Sequence, residues 1–430
     1  MNRRDFINNA AASGLALSMA SGAVELLADE KKTDAPSGPP VNCAVIGLGA
    51  QGQEMLKSLA KLGASIAPVT VMCDTFEGAS FLRKSTALVP SAKVVNDYRK
   101  VLDDKSVQAV FIATPTHKHK QIALDAIAAG KHVYVEAPLS NDLEEARAIA
   151  KAGMDAKTFF QPGLQVRNNA QALHVLGFFE AQNAGSLTGG RAQYHERQTW
   201  RREWPDDSRA RDLNWRLFKE TSLGMVGEIG IHQIDTATWI YKALPIAVSG
   251  LGSIQEKHDG RTVNDTNQCL IEYPNGVNFL YESTLNTSYE GSYEMFYGTK
   301  ASIQLRDQRA WMFKEGDAPT LGWEGYARQD TFSIGIPDNG TGLKLGSGIA
   351  LVADASKQLA LGKAPGKVGT DVSKTSLYQA INAFITSIQT GKKPKVGAKE
   401  GFQATVVAIK TNEAINSQTR IEFKPDWFII

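Results

Sequence analysis

The first folded part of the chain is predicted from short apolar runs that alternate with helical patterns. From residue 41, VNCAVIGLGAQGQEMLKSLAKLG has the order strand, Gly-rich turn, helix. IAPVTVMCD, VQAVFIATPTHKH and KHVYVEAPLS are further apolar strands, with helical patterns such as KQIALDAIAAG and NDLEEARAIAKAGMDA among them. This alternation predicts a parallel sheet with its ligands at the carboxyl ends of the strands.

After residue 165 the pattern changes to alternating apolar and polar residues between turn signals such as PNG and GTK. The alternating segments are GGRAQYHERQTW, AVSGLGSIQ, TNQCLIEY, VNFLYESTLN, YEMFYGTKASIQLR and RAWMFKEG, and they predict antiparallel strands. Helices are predicted over 170–182, 228–242 and 374–390. Residues 315–370 are rich in Gly, Pro and Asp and are predicted to be irregular. The sequence therefore predicts an α/β fold with one parallel and one mostly antiparallel part.

Composition and charge narrow the class of protein. The chain has 430 residues, of which 43% are hydrophobic, as in a globular protein with a large core. Single cores rarely grow beyond about 250 to 300 residues, so we expect two domains. A net charge of +2 gives no reason to expect nucleic acid or an anionic membrane as a partner. The cysteine count is odd, and we expect Cys43, Cys73 and Cys269 to be buried free thiols.

The N-terminus has the pattern of an export signal. Arg3 and Arg4 precede a mildly apolar stretch rich in Ala, Gly and Ser, which is similar to a twin-arginine signal peptide. We expect the signal over 1–28, a polar linker over 29–40, and a periplasmic or otherwise exported mature chain without a membrane span. A short amphipathic N-terminal helix is the alternative.

The Gly-rich turn GLGAQG has the dinucleotide-binding fingerprint. Gly47 permits a tight turn, Gly49 lets the backbone approach a pyrophosphate, and Gly52 allows close packing of helix on strand. Asp74 ends the next strand about 20 residues later, where a carboxylate reaches the adenosine ribose and repels a 2′-phosphate, so NAD is favoured over NADP. A glycine turn without a cofactor is the alternative. The residues that follow later strand ends and are expected to line the same crevice are Thr114, Pro115, His117, His119, Glu136 and Pro138.

A family resemblance is carried by six segments of the chain. GLGAQG, the acidic strand end CD, ATPTHKH, AGKHVYVEAPLS, GLQVRNN and GEIGIHQIDTATW resemble, in order and spacing, the glucose–fructose oxidoreductase and inositol dehydrogenase family (Gfo/Idh/MocA). The resemblance covers nearly all of 41–425. It implies a Rossmann domain over 41–165, a C-terminal substrate and oligomerisation domain over 166–430 with a large open sheet, tightly held NAD, and a homodimer or homotetramer. The expected cofactor-binding residues are Gly47, Leu48, Gly49, Gln51, Gly52, Asp74, Thr114, Pro115, His117, His119, Glu136 and Gln165.

The chemistry is expected in GMVGEIGIHQIDTATW. On a single helix, Glu228 and His232 lie four residues apart and share a face, and Asp235 is three residues beyond His232. A carboxylate beside an imidazole raises its basicity, which suits acid–base work on a sugar hydroxyl. From the residues alone, a structural role of this pair is equally open. The resemblance implies that His232 is the catalytic residue that faces the nicotinamide.

Two positions depart from the family pattern. Many members have Glu-Lys-Pro where this chain has Glu136, Ala137 and Pro138, and Ala137 cannot bond to a hydroxyl or transfer a proton. Glu228 stands where the family has Asp. The candidate substitutes for the missing Lys are Tyr194, His195, Arg197 and Arg167. The expected catalytic residues are then His232, Glu228 and Tyr194, and the expected substrate contacts are Arg167, His195, Arg197 and Asp235.

These observations predict an exported NAD-linked oxidoreductase that acts on a hydroxyl of a carbohydrate, glycoside or polyol. Two alternatives stay open: an NAD-dependent glycosidase, similar to a related group that oxidises C3, eliminates the aglycone, adds water and reduces again, and a sugar-binding member without chemistry. The stretch that holds Trp200, Trp204 and Trp215 suits either sugar stacking or a surface loop. No metal site is predicted, because the chain has no H-E-x-x-H motif and no Cys pair.

Overall fold

Two β-sheets organise the protein in a computed structural model that describes residues 38–76, 79–203, 207–338, 342–353 and 371–430. The predicted signal peptide over 1–28, the linker up to residue 37, and Trp204 lie outside the described residues. Cys43, Cys73 and Cys269 are buried and free, as expected. Within the described ranges, no helix is both long and apolar enough to cross a membrane.

The first sheet has six parallel strands, as the alternation of strands and helices predicts. The strands are β1 Cys43–Ile46, β2 Val69–Cys73, β3 Lys93–Val95, β4 Ala109–Ile112, β5 His132–Val135 and β6 Phe160–Pro162. The helices that connect or flank them are α1 Ala50–Leu62, α2 Ala79–Leu88, α3 Tyr98–Asp103, α4 His119–Ala128 and α5 Leu143–Asp155. The strand order is β3-β2-β1-β4-β5-β6, so the chain reverses direction across the sheet between β1 and β4. Every residue of β1 and β4 is buried, which is typical of a sheet covered on both faces.

The second sheet has ten strands in the order β14-β15-β13-β12-β11-β7-β10-β9-β8-β16. Their bounds are β7 Leu187–His195, β8 Ala247–Ser253, β9 Thr266–Glu272, β10 Asn278–Thr284, β11 Ser292–Gly298, β12 Ala301–Arg306, β13 Arg309–Lys314, β14 Gln329–Asp338, β15 Gly342–Leu351 and β16 Ile421–Glu422. All neighbouring strands are antiparallel except β7 and β10, which are parallel. The predicted fold class, a Rossmann domain followed by a domain with a large, mostly antiparallel sheet, is therefore confirmed.

Within the described part of the second half of the chain there are six α-helices, and two of them return to the first sheet. They are α6 Ala170–Glu180, α7 Ala210–Leu213, α8 Gly224–Glu228, α9 Gly230–Tyr241, α10 Ser376–Thr390 and α11 Ala398–Ser417. Phe384 of α10 packs against Phe111 and Tyr134, each with ring centroids 5.8 Å away. α11 packs on both α5 and β8, so it joins the two sheets. The core of the first sheet thus includes residues beyond the predicted boundary at 165.

Three details differ from the sequence prediction. The predicted helix over 228–242 is divided into α8 and α9, because the backbone of Ile229 (φ −128°, ψ −53°) is not helical. Part of the segment 315–370, predicted to be irregular, forms the hairpin of β14 and β15 at the edge of the second sheet. The helix α11, over 398–417, is not predicted from the sequence. It is buried around most of its circumference and therefore lacks the apolar stripe of an amphipathic helix.

Candidate active site

A crevice of about 1150 Å³ lies at the carboxyl ends of the first sheet. One wall comes from the Gly-rich turn and the loops after β2, β4 and β5, and the other from the segment between β7 and α9. This is the position at which an open parallel sheet binds ligands. The sequence-predicted residues that line it are Gly47, Gly49, Gln51, Asp74, Thr114, Pro115, His117, His119, Glu136, Gln165, Tyr194, Glu228 and His232.

The Gly-rich turn leaves open space where a phosphate group would approach. Gly47 has a φ of +92°, and a Cβ at Gly52 would lie 1.9 Å from the Gly47 carbonyl oxygen, so both glycines are required by the turn itself. A Cβ at Gly49, directly before α1, would meet no atom within 4 Å. The N-terminus of α1 therefore presents backbone N–H groups to an open surface that suits an anion. Leu48 is fully buried and, like Gly52, shapes the turn from behind the crevice.

Asp74 lies in the crevice at the end of β2. Its Oδ2 accepts a hydrogen bond from Leu48 N at 2.7 Å and its Oδ1 accepts one from Phe76 N at 2.8 Å. Arg209, from the second half of the chain, donates to the carbonyl oxygen of Thr75 at 2.7 Å and to Thr75 Oγ1 at 3.0 Å, and lies 3.7 Å above the ring of Phe76. The second domain thus reaches across to the loop that carries Asp74.

The loop after β4 supplies two histidines with different roles. His119 is buried, and its ring nitrogens lie 3.0 Å from Pro138 O and 2.9 Å from Thr114 O, so it ties the loops after β4 and β5 together. Burial lowers the pKa of His119 to about 4, although the carbonyl oxygens of Thr114 and Pro138 oppose the decrease, and a neutral ring donates to only one of these two oxygens. His117 faces Trp215, with ring centroids 6.2 Å apart, and its Nδ1 has no partner within the described residues.

Glu136 is a buried carboxyl group on the crevice wall. Its Oε1 accepts a hydrogen bond from Gln51 Nε2 at 2.7 Å. Burial raises the pKa of Glu136 to about 7, although Gln51 and the charge of Arg216 oppose the increase. The next residue, Ala137, packs with apolar side chains that include Leu164 and Ile231. The position of the family lysine is therefore apolar in this chain.

The predicted pairing of Glu228 with His232 is not formed. Glu228 Oε2 accepts from Thr116 Oγ1 at 2.9 Å, and Oε1 accepts from Ser222 Oγ at 3.0 Å and from Leu223 N at 3.2 Å. The carboxylate is thus occupied in joining the loop after β4 to the start of α8. The physical reason is the break at Ile229, which removes the continuous helix on which the two side chains would share a face.

His232 presents an imidazole to the crevice without a hydrogen-bond partner. Within the part of the chain that the structure describes, its Nδ1 is buried and unpartnered. Burial lowers the pKa of His232, and the nearby charge of Asp235 only partly opposes this change. The ring is therefore held neutral and can accept a proton.

Four expected substrate contacts lie outside the crevice lining. Arg167 and Asp235 form a bidentate ion pair, with Nε–Oδ2 at 2.8 Å and Nη2–Oδ1 at 2.9 Å. His195 Nδ1 lies 3.0 Å from Tyr289 O and its Nε2 lies 3.3 Å from Glu282, while Arg197 is exposed. The predicted contact of these four side chains with substrate is thus not supported by their placement. Their side chains are directed to partners within the second domain or to solvent.

Tyr194 is the candidate for the missing lysine that does line the crevice. Its hydroxyl donates to Glu196 Oε2 and accepts from Gln198 Nε2 at 2.9 Å. Burial, followed by the hydrogen bond to Glu196, raises its pKa well above the usual value, so the hydroxyl stays protonated.

Sequence reasoning missed the arginines of the crevice. Arg202, Arg209 and Arg216 all line it. They belong to the aromatic and basic stretch that was singled out for its tryptophans, and Trp200 and Trp215 do line the crevice. The arginine content of that stretch could have indicated these residues. Because its backbone is irregular, however, no helical or strand spacing predicts which side chains face the crevice.

The two-sheet architecture and the glycine turn at the crevice define a dinucleotide-dependent oxidoreductase fold. Family models support this class directly: "Oxidoreductase family, NAD-binding Rossmann fold" matches residues 41–163, and "Oxidoreductase family, C-terminal alpha/beta domain" matches residues 191–423. The chain belongs to this family, Gfo/Idh/MocA, and its first domain is an NAD-binding Rossmann domain. The glycine turn, the open space at Gly49 and the unpartnered, buried Thr114 Oγ1 fit that dinucleotide.

Individual relatives are distant. The chain is 27% identical to levoglucosan dehydrogenase of Pseudarthrobacter phenanthrenivorans over 238 residues, which cover 50% of this chain and 59% of that protein. It is 25% identical to 2,7-anhydro-N-acetylneuraminate hydratase of Escherichia coli over 271 residues, covering 62% and 67%, and 27% identical to scyllo-inositol 2-dehydrogenase (NAD(+)) of Bacillus subtilis over 256 residues, covering 58% and 68%. The solved structure of levoglucosan dehydrogenase in complex with NADH matches with a TM-score of 0.69 at 19% identity, and the match covers 89% of this chain and 99% of that one, which shows the shared fold.

Proposed function

We propose that the protein is an NAD-dependent oxidoreductase that acts on a hydroxyl group of a sugar, glycoside or polyol. The observation that carries the proposal is His232, a buried, neutral and unpartnered imidazole in the same crevice as the glycine turn and Asp74. The relatives that act on levoglucosan and inositol support the substrate class.

Different residues of the chain have different roles in the proposed reaction. The turn at Gly49 and the Asp74 carboxylate would hold the dinucleotide, which when bound would supply hydride transfer to or from a carbon of the substrate. His232 lines the crevice and accepts the hydroxyl proton, because burial keeps the ring neutral. The side-chain hydroxyl of Tyr194 stays protonated and donates its one proton to Glu196, so it can only accept a hydrogen bond from a substrate hydroxyl.

A redox-cycling glycosidase is the second candidate, and Glu136 is the observation that favours it. Elimination and hydration need an additional group that can both take and return a proton near neutral pH. A carboxyl with a pKa of about 7 meets that need, and the apolar Ala137 removes the family's ammonium group from the same loop. The similarity to a hydratase adds weight to this candidate.

The test uses full-length protein purified without added nucleotide. Mass spectrometry after denaturation identifies any bound NAD or NADH, and sugars, polyols and glycosides are then supplied while NADH absorbance and product formation are followed. Net accumulation of a ketosugar with NADH supports the dehydrogenase, and release of aglycone without net NADH supports the glycosidase. Failure to bind NAD or NADH at all would reject both and leave a sugar-binding protein.

We also propose that the chain is exported by the twin-arginine route and forms a homodimer or homotetramer. The sequence of the first 28 residues supports export, and a tagged chain with Arg3→Lys and Arg4→Lys should remain in the cytoplasm if the proposal holds. Leu251, Leu270 and Leu280 are 60%, 41% and 41% exposed and lie together on the second sheet, which supports a covered face. Sedimentation of the purified protein measures the oligomer.

A further inference from the structure

Two arginines of the crevice have guanidinium groups without a protein partner. Within the described residues, Arg216 forms no hydrogen bond or ion pair, and its Nε is buried and unpartnered. Among the residues that the structure describes, Arg202 has hydrogen bonds only through its backbone, to the side chain of Asn214. By contrast, Arg209 binds Thr75, and Arg99 pairs with Asp97. Both guanidinium groups line the crevice and are therefore open to an acceptor that is not part of the protein.

Arg216 is held in place through its flat faces. Its guanidinium carbon lies 5.1 Å from the ring centroid of Trp215 and 5.7 Å from that of Trp200. Cation–π contacts of this kind use the face of the guanidinium and leave the N–H groups at its edge available. The edge of an immobilised guanidinium matches two oxygens of one oxyanion.

The charge of Arg216 acts at the substrate end of the crevice. Burial raises the pKa of Glu136, Glu228 and Tyr194, and the positive charge of Arg216 is among the causes that oppose each increase. The dinucleotide phosphates belong instead to the turn at Gly49. Arg202 lies close enough to Arg216 for the positive charge of Arg216 to add to burial in lowering the pKa of Arg202.

We propose that Arg216, with Arg202 at the mouth of the crevice, binds an oxyanion group of the substrate, so that the substrate is an acidic sugar or polyol bearing a carboxylate or a phosphate. This inference rests on the proposed function for the identity of the reacting hydroxyl. The half-buried Trp215 provides apolar surface for the sugar ring, and a bidentate bond to Arg216 fixes the ring relative to His232. A neutral sugar would leave the Arg216 edge unpaired and therefore binds more weakly.

The test is calorimetric titration of the full-length protein saturated with NADH. The probes are glucuronate and galacturonate, glucose 6-phosphate and galactose 6-phosphate, and the neutral sugars glucose and galactose. We expect one acidic class to bind roughly 10- to 100-fold more tightly than its neutral counterparts. Preference for the uronates identifies a carboxylate, and preference for the 6-phosphates identifies a phosphate. Equal affinity for acidic and neutral sugars, or no binding of either acidic class, overturns the inference.

Variants separate recognition of the charge from a structural effect. Arg216→Gln should abolish the preference for the acidic sugar and leave the affinity for the neutral one within about twofold, whereas Arg216→Lys should keep part of the preference. Arg202→Gln should have a smaller effect because that side chain is exposed. Arg211→Gln is the matched control, since Arg211 is exposed and pairs with Glu220 outside the crevice. Equal loss of acidic and neutral binding in Arg216→Gln would contradict the proposal.

Failure of the inference and failure of the proposed function give different results. NADH is titrated first, so a protein that does not bind NADH fails the proposed function before any sugar is added. A protein that binds NADH and, when supplied with NAD⁺ as the hydride acceptor, oxidises neutral sugars as efficiently as acidic ones keeps its proposed function and loses the inference. Preference for acidic sugars without oxidation of any of them supports the oxyanion site and rejects the dehydrogenase.

Discussion

Arg167 and Asp235 form a buried bidentate ion pair that joins the turn after β6 to helix α9. The side chain of Asp235 is 3% exposed and that of Arg167 is 16% exposed. The guanidinium also lies 5.7 Å from the ring of Trp239. Asp235 follows His232 by nearly one helical turn, so the pair fixes the helix that directs His232 into the crevice.

Replacing one member of this ion pair should destabilise the protein more than replacing both members. Arg167→Met leaves the Asp235 charge buried and unpaired, and we expect a loss of about 3 to 5 kcal/mol in the free energy of unfolding. The double variant with Asp235→Leu should recover a large part of that loss. Urea unfolding of the two variants measures the difference, and equal destabilisation by both would show that the ion pair has no special role.

The pH below which the reaction slows should be set by the protonation of His232. Burial lowers its pKa below the ordinary value of about 6.5, so the neutral, proton-accepting ring persists to lower pH than an exposed histidine would allow. We expect kcat/KM for oxidation to stay level as pH falls through 6.5 and to decline only below it. His232→Asn should reduce kcat by roughly 10²- to 10⁴-fold and remove that decline. An unchanged rate in this variant would assign the proton transfer elsewhere.

Protein stability should fall as pH rises toward 7 because of Glu136. Its folded-state pKa of about 7 lies above the unfolded value of about 4.3, so the folded protein binds more protons between these pH values. Glu136→Gln removes this dependence. We expect the variant to gain stability relative to the native chain at pH 8, on the order of a few kcal/mol, and to gain little at pH 4. Thermal unfolding at both pH values checks the sign, and a uniform shift would contradict it.

Arg209 should slow the release of the dinucleotide. Its hydrogen bonds to Thr75 hold the second domain against the loop that carries Asp74. Arg209→Ala should weaken retention of NADH about tenfold, measured by the loss of bound NADH fluorescence on dilution. The control is Arg211→Ala. Arg211 lies two residues after Arg209, is exposed, and pairs with Glu220 instead. Equal release rates in the two variants would exclude the role of Arg209.

Two glycines of the turn should respond differently to the same substitution. Gly52→Ala brings a Cβ within 1.9 Å of the Gly47 oxygen, so we expect a loss of more than about 3 kcal/mol in stability. Gly49→Ala meets no protein atom and should leave stability nearly unchanged while weakening NADH binding about tenfold or more. Unfolding curves and NADH titration of both variants test this contrast, which fails if Gly49→Ala binds NADH normally.

The sequence predicts those parts of the site that depend on local spacing. The turn from Gly47 to Gly52 and the acid at Asp74 follow from a strand, a turn and a helix in fixed order, and the structure places them at the crevice. Arg216 could not be found in this way, since its direction is set by packing between Trp200 and Trp215 in an irregular segment. The helical spacing of apolar residues over 228–242 also does not indicate the break at Ile229.

The second sheet also contains some strands that the sequence predicts and others that it does not. Strands with strict alternation, such as β9 and β10, are evident from sequence, because one face of each is buried. The hairpin of β14 and β15 is not, since the Gly-rich segment KLGSGIAL has no alternation of period two. The long helix α11 is hidden for a different reason: it contacts both sheets and therefore has too little polar surface to show a stripe.

The late position of α10 and α11 in the chain governs when the first sheet can be completed during synthesis. Phe111 and Tyr134 are covered by Phe384, which leaves the ribosome long after them. Until then, the nascent N-terminal half displays an apolar sheet face that invites chaperones and aggregation. A product truncated before residue 376 would keep that face uncovered, so we expect it to be insoluble or rapidly degraded, and the halves should fold only as one translation product.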